Sequence, residues 1–561
     1  MYGVAEVPQG LLWMTSKAIA VMQRFKLCSI LFLSSLIACI SAVGCSRVGE
    51  PDTRSAQLRV GVSAEPDALN PLFTHTAIAD DVSALLFAPL FRYDDRGVMI
   101  PELATRVPTV ANGDVQANGL RVTLHLRPHV YWSDGAPLDA RDVVFTWRAV
   151  LNPANNTKLR SGWENIRSIH AVNRQTVVLD LRHVDATIVT LFAAGGSDAA
   201  YPPLPAHLLA GLANLNQARF NAFPISSGPW LLTSWQHGSS LTFVPNRRYW
   251  RPVAPLTGLR FVVLPQASSL LTALHAHEID YVDQLPEDSL HLVRSFPDIV
   301  TADHLVASYR HLDMNVRDPV LRDVRVRLAL IEGVNWSRIL ERVYHGAGQR
   351  AVSDIFPQSF AAPHLPLYPY DVQAAARLLD ASGWKRSRTG MRQRRGQPLA
   401  LSIMSSNVNT TSAEAEVQIA ADLHALGVQV EQKNLPVSYL FAQNGPLYTG
   451  KYQLAWAADT RGPDPDNTAD WVTSAQPPNG GNTVFLHDVQ VDALAAAARA
   501  TNDPTRRRAL YQREEERLHA LAPVFVLSWQ RATVAMTTRL VGVRPVPYGS
   551  NFWNSWQWRW R

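Results

Sequence analysis

Segments with the hydrophobic pattern of a strand alternate along the chain with segments that have the pattern of a helix. Apolar and polar side chains alternate over residues 58–62 and again over residues 122–126, and a period of two predicts strands with one buried face. Residues 140–151 have helical spacing instead, and Asp139 precedes them where it can cap free amides. Val144, Trp147 and Leu151 then share the face expected to be buried. A turn is predicted between the second strand and this helix.

The same succession returns in the second half of the chain. Asp371 precedes a helical pattern in which Val372, Ala375, Ala376 and Leu379 share a face. Residues 399–404 are typical of a strand, residues 413–426 of a helix that Gly427 closes, and residues 428–430 of the next strand. Interleaved helices and strands predict an α/β architecture with parallel sheet in this half.

The first 45 residues follow a different pattern. Arg24 and Lys26 precede an uncharged apolar run at residues 27–40, and small residues at 41–44 lead to Cys45. This order is typical of a secretory signal, and the apolar run is short for a membrane span, which is the alternative. The predicted signal covers residues 1–44, with the true start at Met14 or Met22.

Residues 42–45, Ala-Val-Gly-Cys, resemble a bacterial lipobox. The resemblance implies cleavage before Cys45 and lipidation of its sulfur, which would anchor the protein to the cell-envelope membrane. Polar residues 45–56 would form the tether. The chain contains three cysteines, Cys28, Cys39 and Cys45, so the exported part would fold without disulfides.

Length and charge narrow the classes further. A chain of 561 residues is too long for one hydrophobic core and predicts two or more lobes. The formal net charge is +6, and the basic residues are scattered except for five arginines at 386–395. That run is predicted to be a solvated loop. Contact with anionic lipid or nucleic acid is the alternative, but no aromatic platform accompanies it, so no nucleic-acid partner is expected.

Residues 123–147 read TLHLRPHVYWSDGAPLDARDVVFTW. This segment resembles the signature of the extracellular solute-binding family 5, the oligopeptide, dipeptide and nickel binding proteins of ABC importers. Further matches follow in the family's order, and the resemblance covers the chain from about Leu58 to its end. The matching segments are residues 65–71, 101–104, 228–230, 246–250 and 323–330.

The resemblance implies an α/β, two-lobed fold of the class II periplasmic-binding-protein type, with an extra small subdomain, closing around a central cleft. It implies a monomeric binding protein outside the cytoplasm that captures a solute and delivers it to importer permease subunits, with no enzyme activity and no cofactor. The expected boundaries are lobe I at 57–99, 224–300 and 520–561, the small subdomain at 100–223, and lobe II at 301–519.

Residues 456–467 resemble the family loop whose aspartate binds the α-ammonium group of a peptide, and Asp459 occupies that position. The alternative is that Asp459 caps a turn. Trp456, and Asn482 of the loop 480–483, are candidates for lining the cleft. Trp456 would equally suit a hydrophobic core. Asp464 and Asp466 are predicted to form turns.

One departure from the family affects the ligand. Dipeptide binders carry an arginine for the ligand carboxylate in the strand before the helix predicted at 413–426, whereas residues 403–407 here read IMSSN and contain no basic residue. A fixed-length dipeptide site is therefore not expected. A longer peptide, or another ligand with an amine, fits the sequence better.

Three other functions compete with this hypothesis. His275, His277 and Glu278 form a cluster suited to nickel or a metallophore, yet they fall where the family usually has a Gly-Glu-x-Asp turn, so no metal site is predicted. The second alternative is an exported hydrolase, but the sequence contains no recognisable nucleophile elbow and no zinc-binding helix. Oligosaccharide binding remains open, since tryptophans in a cleft would serve as sugar platforms.

Overall fold

The computed structural model describes residues 57–561 apart from residues 75, 197–198 and 408–409. The predicted signal, the lipidation site Cys45 and the tether lie outside the described residues. The strands are β1 (Gln57–Val62), β2 (Phe91–Tyr93), β3 (Met99–Pro101), β4 (Arg121–His125), β5 (Ile166–Asn173), β6 (Thr176–Leu181), β7 (Ala193–Ala194), β8 (Trp230–Gln236), β9 (Ser240–Pro245), β10 (Gly258–Val263), β11 (Tyr281–Val282), β12 (Ile299–Met314), β13 (Gly348–Arg350), β14 (Lys385–Arg386), β15 (Arg392–Arg394), β16 (Gln397–Pro398), β17 (Ala400–Ser406), β18 (Gln429–Leu435), β19 (Leu454–Thr460), β20 (Val524–Thr537), β21 (Leu540–Val541) and β22 (Arg559–Trp560).

Helices alternate with these strands. The longer helices are Ala77–Leu86, Ala140–Leu151, Ala267–His275, Val324–Glu332, Val372–Ala381, Thr410–Leu426, Val489–Arg499 and Pro504–Leu521. The shorter ones are Ala206–Leu209, Leu290–Val293, Trp336–Arg342, Val437–Leu440, Pro446–Thr449 and Thr468–Trp471. Single 3-10 turns or short 3-10 helices are Trp163–Asn165, Ile188–Phe192, Arg219–Asn221, Glu287–Ser289, Thr473–Ala475 and Asn551–Gln557.

One large mixed sheet runs through the molecule in the order β18-β17-β19-β12-β20-β11-β1-β10-β9-β8, with β13 paired to β20. Strands β12 and β20 are the long members, and their antiparallel pairing shifts register between Leu305 and Tyr309. On one side of this shift β20 continues to β11, and on the other β12 continues to β19. Two strands therefore connect the two halves of the sheet.

Two cores lie on either side of this connection. The larger core collects apolar side chains from Leu58 to Trp558 and includes Tyr309 and Trp529 of the connecting strands. The second core begins at Leu312 of β12 and includes Leu527 of β20. The connecting strands thus contribute to both cores, as a hinge between two lobes requires. The exact domain boundaries given above stay a prediction.

The parallel sheet predicted for the second half is present only in part. Strand β17 pairs in parallel with β18 and with β19. Strand β12, however, runs antiparallel to both β19 and β20. The sequence pattern of a buried strand does not reveal the direction of the strand beside it. The antiparallel pairing of β12 with β19 and β20 is decided by tertiary contacts between distant parts of the chain.

The capped helix at Ala140–Leu151 shows why local signals succeed here. The Asp139 carboxylate accepts a hydrogen bond from Arg141 N at 3.0 Å, and the Asp142 carboxylate accepts one from Asp139 N at 2.9 Å. This reciprocal arrangement is a capping box that satisfies free amides of the first turn. Trp147, predicted on the buried face, is only half-buried against the larger core.

We expect Asp139→Ala to lower the free energy of unfolding by about 1 to 2 kcal/mol, because the first turn loses its cap. Urea unfolding followed by circular dichroism measures this loss. Arg141→Ala is the matched control, since Arg141 is exposed and its ion pair with Asp139 contributes at most about 1 kcal/mol. Equal losses in both variants would assign the effect to the ion pair.

Two segments that carry the family resemblance meet in one buried network. Tyr249 Oη and Trp250 Nε1 donate hydrogen bonds to Glu102 Oε1 at 2.5 and 3.0 Å, and Arg251 Nη2 donates to Glu102 Oε2 at 2.7 Å. Burial raises the pKa of Glu102, but the charges of Arg92 and Arg251 outweigh it and leave the pKa lowered. These residues therefore join the two segments through buried hydrogen bonds and ion pairs.

The basic run folds as a small antiparallel sheet, β14-β15-β16, at the surface. Lys385, Arg386, Arg388 and Arg395 are exposed, whereas Arg392 is buried and pairs with Asp380 at 2.8 Å. Arg394 lies over the Trp384 ring at 4.5 Å. The segment predicted to be a loop is thus a three-stranded sheet that contains one buried, ion-paired arginine.

Candidate ligand-binding site

Asp459 lies near the carboxyl end of β19, opposite Tyr309 of β12. Its side chain is 54% exposed. Because β17, β18 and β19 run parallel, their carboxyl ends lie at the same edge of the sheet, the edge at which open α/β sheets usually bind ligands. The structure therefore presents an accessible carboxylate at a suitable edge.

A buried histidine lies behind this carboxylate. His311 Nε2 is 3.7 Å from Asp459 Oδ2, and His311 Nδ1 is hydrogen-bonded to Asp313 Oδ1 at 2.8 Å. The His311 side chain is 4% exposed. Burial lowers the pKa of His311, but the charge and hydrogen bond of Asp313 and then the charge of Asp459 outweigh burial, so the pKa is raised.

Arg461 follows Asp459 but is held inside the protein. Its guanidinium forms ion pairs with Asp354 at 2.5 Å and with Asp470, and its backbone N donates to Ala307 O at 2.7 Å. Trp471 Nε1 also donates to Asp354 Oδ2, at 2.9 Å. With two carboxylates as partners, Arg461 anchors the loop and is poorly placed to receive a ligand carboxylate.

Trp456 lies in the second core. Its side chain is buried at 2% exposure, its indole Nε1 donates to Tyr344 Oη at 3.0 Å, and its ring stacks on Trp336 with a centroid distance of 5.9 Å. These contacts give Trp456 a packing role in this conformation. Its contact with a ligand stays a prediction.

Asn482 is also buried. Its Nδ2 donates to the carbonyl oxygens of Trp471, Val472 and Leu486, and its Oδ1 accepts from Leu486 N at 2.9 Å. An amide used this fully on backbone groups fixes its loop. A ligand contact for Asn482 likewise stays a prediction, and Asp459 alone of the three candidates is open to solvent.

The two aspartates further along the loop form turns, as expected. Asp464 Oδ1 accepts from Asp466 N at 3.0 Å, and Asp466 Oδ1 accepts from Thr468 N at 3.2 Å. Arg507 in addition binds both oxygens of Asp464. Asp464 and Asp466, together with Arg461 and Asp354, line a pocket of about 10 Å³, which is room for about one water molecule.

The neighbourhood of Ser405, where dipeptide binders carry an arginine, is acidic here. Ser405 is buried, and Asn434 Nδ2 donates both to Ser405 Oγ at 3.1 Å and to Glu416 Oε2 at 2.9 Å. Burial raises the pKa of Glu416 despite its hydrogen bonds with Ser405 and Asn434. A buried carboxyl group therefore lies beside Ser405.

A family model for bacterial extracellular solute-binding proteins, family 5 Middle, matches residues 98–480, which is more than half of the chain. The chain belongs to this family. Members of family 5 are extracytoplasmic binding proteins, which confirms the prediction of a binding protein in place of an enzyme. Among the described residues, no helix combines the length and apolar character needed to cross a membrane.

Named relatives agree with this family membership. Protein XP55 of Streptomyces lividans is 27% identical over 412 residues, which cover 72% of this chain and 71% of the relative. The oligopeptide-binding protein AppA of Bacillus subtilis is 23% identical over 508 residues, which cover 89% and 90% of the two chains.

Solved structures show the same two-lobed α/β fold. NikA from Brucella suis, in complex with Fe(III)-EDTA, superposes with a TM-score of 0.79 at 21% identity and covers 90% of this chain and 100% of its own. AppA from Bacillus subtilis, in complex with a nonapeptide, has a TM-score of 0.72 at 22% identity and covers 90% and 99%. Identities this low establish the fold and leave the ligand open.

The histidine cluster that suggested a metal is used structurally. The His275 ring stacks on Phe296 at 4.5 Å, and His277 has φ of 55°, where the family's usual glycine would be unstrained. Glu278 N donates to Ala273 O at 2.8 Å and continues the turn. No group of three or more metal-ligating side chains with suitable geometry occurs in the described part of the chain.

His311 and Asp313 were not singled out from the sequence. Both belong to β12, and residues two apart on a strand point to the same face, so the His-x-Asp spacing was a usable signal. The proximity of His311 to Asp459 could not be predicted from the sequence, because it depends on the pairing of β12 with β19.

Proposed function

We propose that this protein is the lipid-anchored, extracytoplasmic binding component of an ABC importer, and that it captures an oligopeptide or another peptide-like ligand with an amine. The observation that carries the ligand class is the exposed Asp459 carboxylate at the sheet edge. An ammonium group held there makes a charge-assisted hydrogen bond. The protein acts as a monomer that hands its ligand to the permease.

The surroundings of Ser405 support a ligand longer or less uniform than a dipeptide. A dipeptide fixed at both ends needs a cation for its carboxylate, and Ser405 here is hydrogen-bonded to Asn434 and Glu416. Arg461 is committed to Asp354 and Asp470. One charged anchor and backbone hydrogen bonds suit peptides of varied sequence.

Two-lobe closure supplies the mechanism of capture and delivery. The long strands β12 and β20 connect the two cores, so a change in their twist moves one lobe against the other. A ligand that contacts both lobes stabilises the closed form and shifts the population towards it. The permease then distinguishes loaded from empty protein by this conformation.

The experiment that tests the ligand class is mass spectrometry of molecules that co-purify with the full-length protein from its native envelope. We expect a mixture of peptides with free amino termini. A single oligosaccharide or a metal complex would overturn the peptide assignment. The burial of several tryptophans already removes them as sugar platforms in this conformation; these are Trp132, Trp163, Trp230, Trp456, Trp529 and Trp558.

Lipid anchoring is tested separately by Cys45→Ser. We expect the variant to leave the membrane fraction, because the acyl chains have no sulfur to attach to. Cys39→Ser, inside the predicted signal, is the matched control and is expected to stay with the membrane. Fractionation followed by immunoblotting measures both. Membrane retention of the Cys45 variant would contradict the anchor.

A further inference from the structure

Three side chains on two adjacent strands form a row beneath the proposed ammonium site. Asp313 Oδ1 lies 2.8 Å from His311 Nδ1, and Asp459 Oδ2 lies 3.7 Å from His311 Nε2. Nε2 is buried and makes no hydrogen bond within the described residues. A buried polar atom without a partner is costly, so this nitrogen is available to the exposed carboxylate beside it.

His311 has neighbours on three strands, and two of these strands bring charged groups to it. On its own strand, β12, Asp313 binds Nδ1, and the Tyr309 ring is centred 5.0 Å away. From β19 and the residue after it, Asp459 favours the imidazolium form and Arg461 opposes it. On β20 the residue opposite His311 is Val526, which is uncharged.

These charges favour a proton on His311 in the empty protein. The imidazolium has two carboxylates beside it, and its charge is partly matched by each. An ammonium group that binds to Asp459 changes this balance, because it brings a second cation to the same carboxylate in a partly buried site. Like charges at such distances repel, and the group that can lose its proton to solvent does so.

Building on the proposed function, we propose that His311 is a positioning residue whose proton competes with the ligand ammonium for Asp459 and is released to solvent when the ligand binds. One proton leaves His311 Nε2 for each ammonium captured. The affinity for amine ligands therefore falls as the solution becomes more acidic. Ligands without an ammonium group do not displace the His311 proton, so their affinity does not depend on pH through this group.

The first test needs no ligand. The titration of His311 is followed by NMR in the wild type and in Asp459→Asn, with His311→Gln used to assign the signal. We expect the pKa of His311 to be lower in Asp459→Asn, because a favourable charge is lost. An unchanged titration would show that the two side chains do not interact in solution and would overturn the proposal.

The second test uses an alanine pentapeptide and its N-acetylated form in titration calorimetry, in buffers of different ionisation enthalpy. Near pH 6.5, where the peptide's α-amino group already carries its proton, we expect proton release with the free-amine peptide and none with the acetylated one. Affinity is expected to be roughly tenfold weaker near pH 5.5 than near pH 7.5. His311→Gln is expected to abolish both the proton release and the pH dependence while it still binds peptide.

His304→Gln is the matched control, because His304 lies on the same strand and burial lowers its pKa to about 4, so it carries no proton over this range. Asp313→Asn is the second variant if His311→Gln does not fold, and it is expected to reduce proton release. Unchanged proton release in the His311 variant would overturn the proposal. Absence of peptide binding by the wild type would instead reject the proposed ligand class. The NMR titration would then still show whether His311 and Asp459 interact.

Discussion

Asp459→Asn is expected to weaken binding of an amine-bearing peptide about 100-fold, which corresponds to roughly 2.7 kcal/mol. The substitution keeps the size of the side chain and removes its charge. An ammonium group enclosed when the lobes close then lacks a counter-ion, and an unpaired charge buried in an interface costs roughly 2 to 5 kcal/mol. Titration calorimetry with an alanine pentapeptide measures the loss.

Two comparisons make this result specific. Glu431→Gln removes an exposed carboxylate on β18 that pairs with Lys433, and we expect it to leave affinity unchanged. N-acetylation of the peptide removes the ammonium group from the ligand. We expect it to weaken binding to the wild type by about the same factor as Asp459→Asn weakens binding of the free-amine peptide. Unchanged affinity in Asp459→Asn would defeat the ammonium assignment and leave Asp459 as a turn residue.

The fold was predictable because its signals are local. A strand with alternating burial, as in β4, or a helix with an aspartate cap, as at Asp139 and Asp371, needs information from only a few neighbouring residues. The prediction was wrong where tertiary contacts decide. Val372 was placed on the buried face of its helix and is 39% exposed, whereas Ala375 and Leu379 are buried as expected.

Of the three candidate contact residues, one is exposed in the structure, and its ligand role stays a prediction. Asp459 followed from its position in the family loop, but a tryptophan at the end of an apolar stretch suits a core and a cleft wall equally, and Trp456 lies in the core. His311 and Arg461 gain their surroundings from partners far away in the chain, namely Asp459 across the β12–β19 pair and Asp354. Sequence spacing carries no information on such contacts.

A buried acidic pair in the helix Pro504–Leu521 is expected to make the stability of the fold depend on pH. Both carboxyl oxygens of Glu514 are buried without a hydrogen-bond partner in the described part of the chain. Burial, and then the charges of Asp354 and Asp466, raises the pKa of Glu514 to about 9. Glu515 beside it accepts a hydrogen bond from Asn467 Nδ2 at 3.0 Å, and its pKa is raised as well.

Glu514→Gln is therefore expected to stabilise the protein in mildly alkaline solution. The folded state keeps a proton on Glu514 that the unfolded chain releases above about pH 4.5, so this group's stabilisation is complete in acid and is lost as the pH rises towards 9. At about 1.4 kcal/mol per pH unit, the wild type loses about 4 kcal/mol between pH 5 and pH 8 through this group.

The variant has no proton to lose at this position, so its free energy of unfolding should exceed that of the wild type by up to about 4 kcal/mol at pH 8 and match it near pH 5. Urea unfolding at both pH values measures the difference. Glu516→Gln, on the same helix but exposed, is the matched control and should leave the pH dependence unchanged. A wild type and a Glu514 variant that lose stability in parallel would show that Glu514 is already ionised in the folded protein and would contradict this prediction.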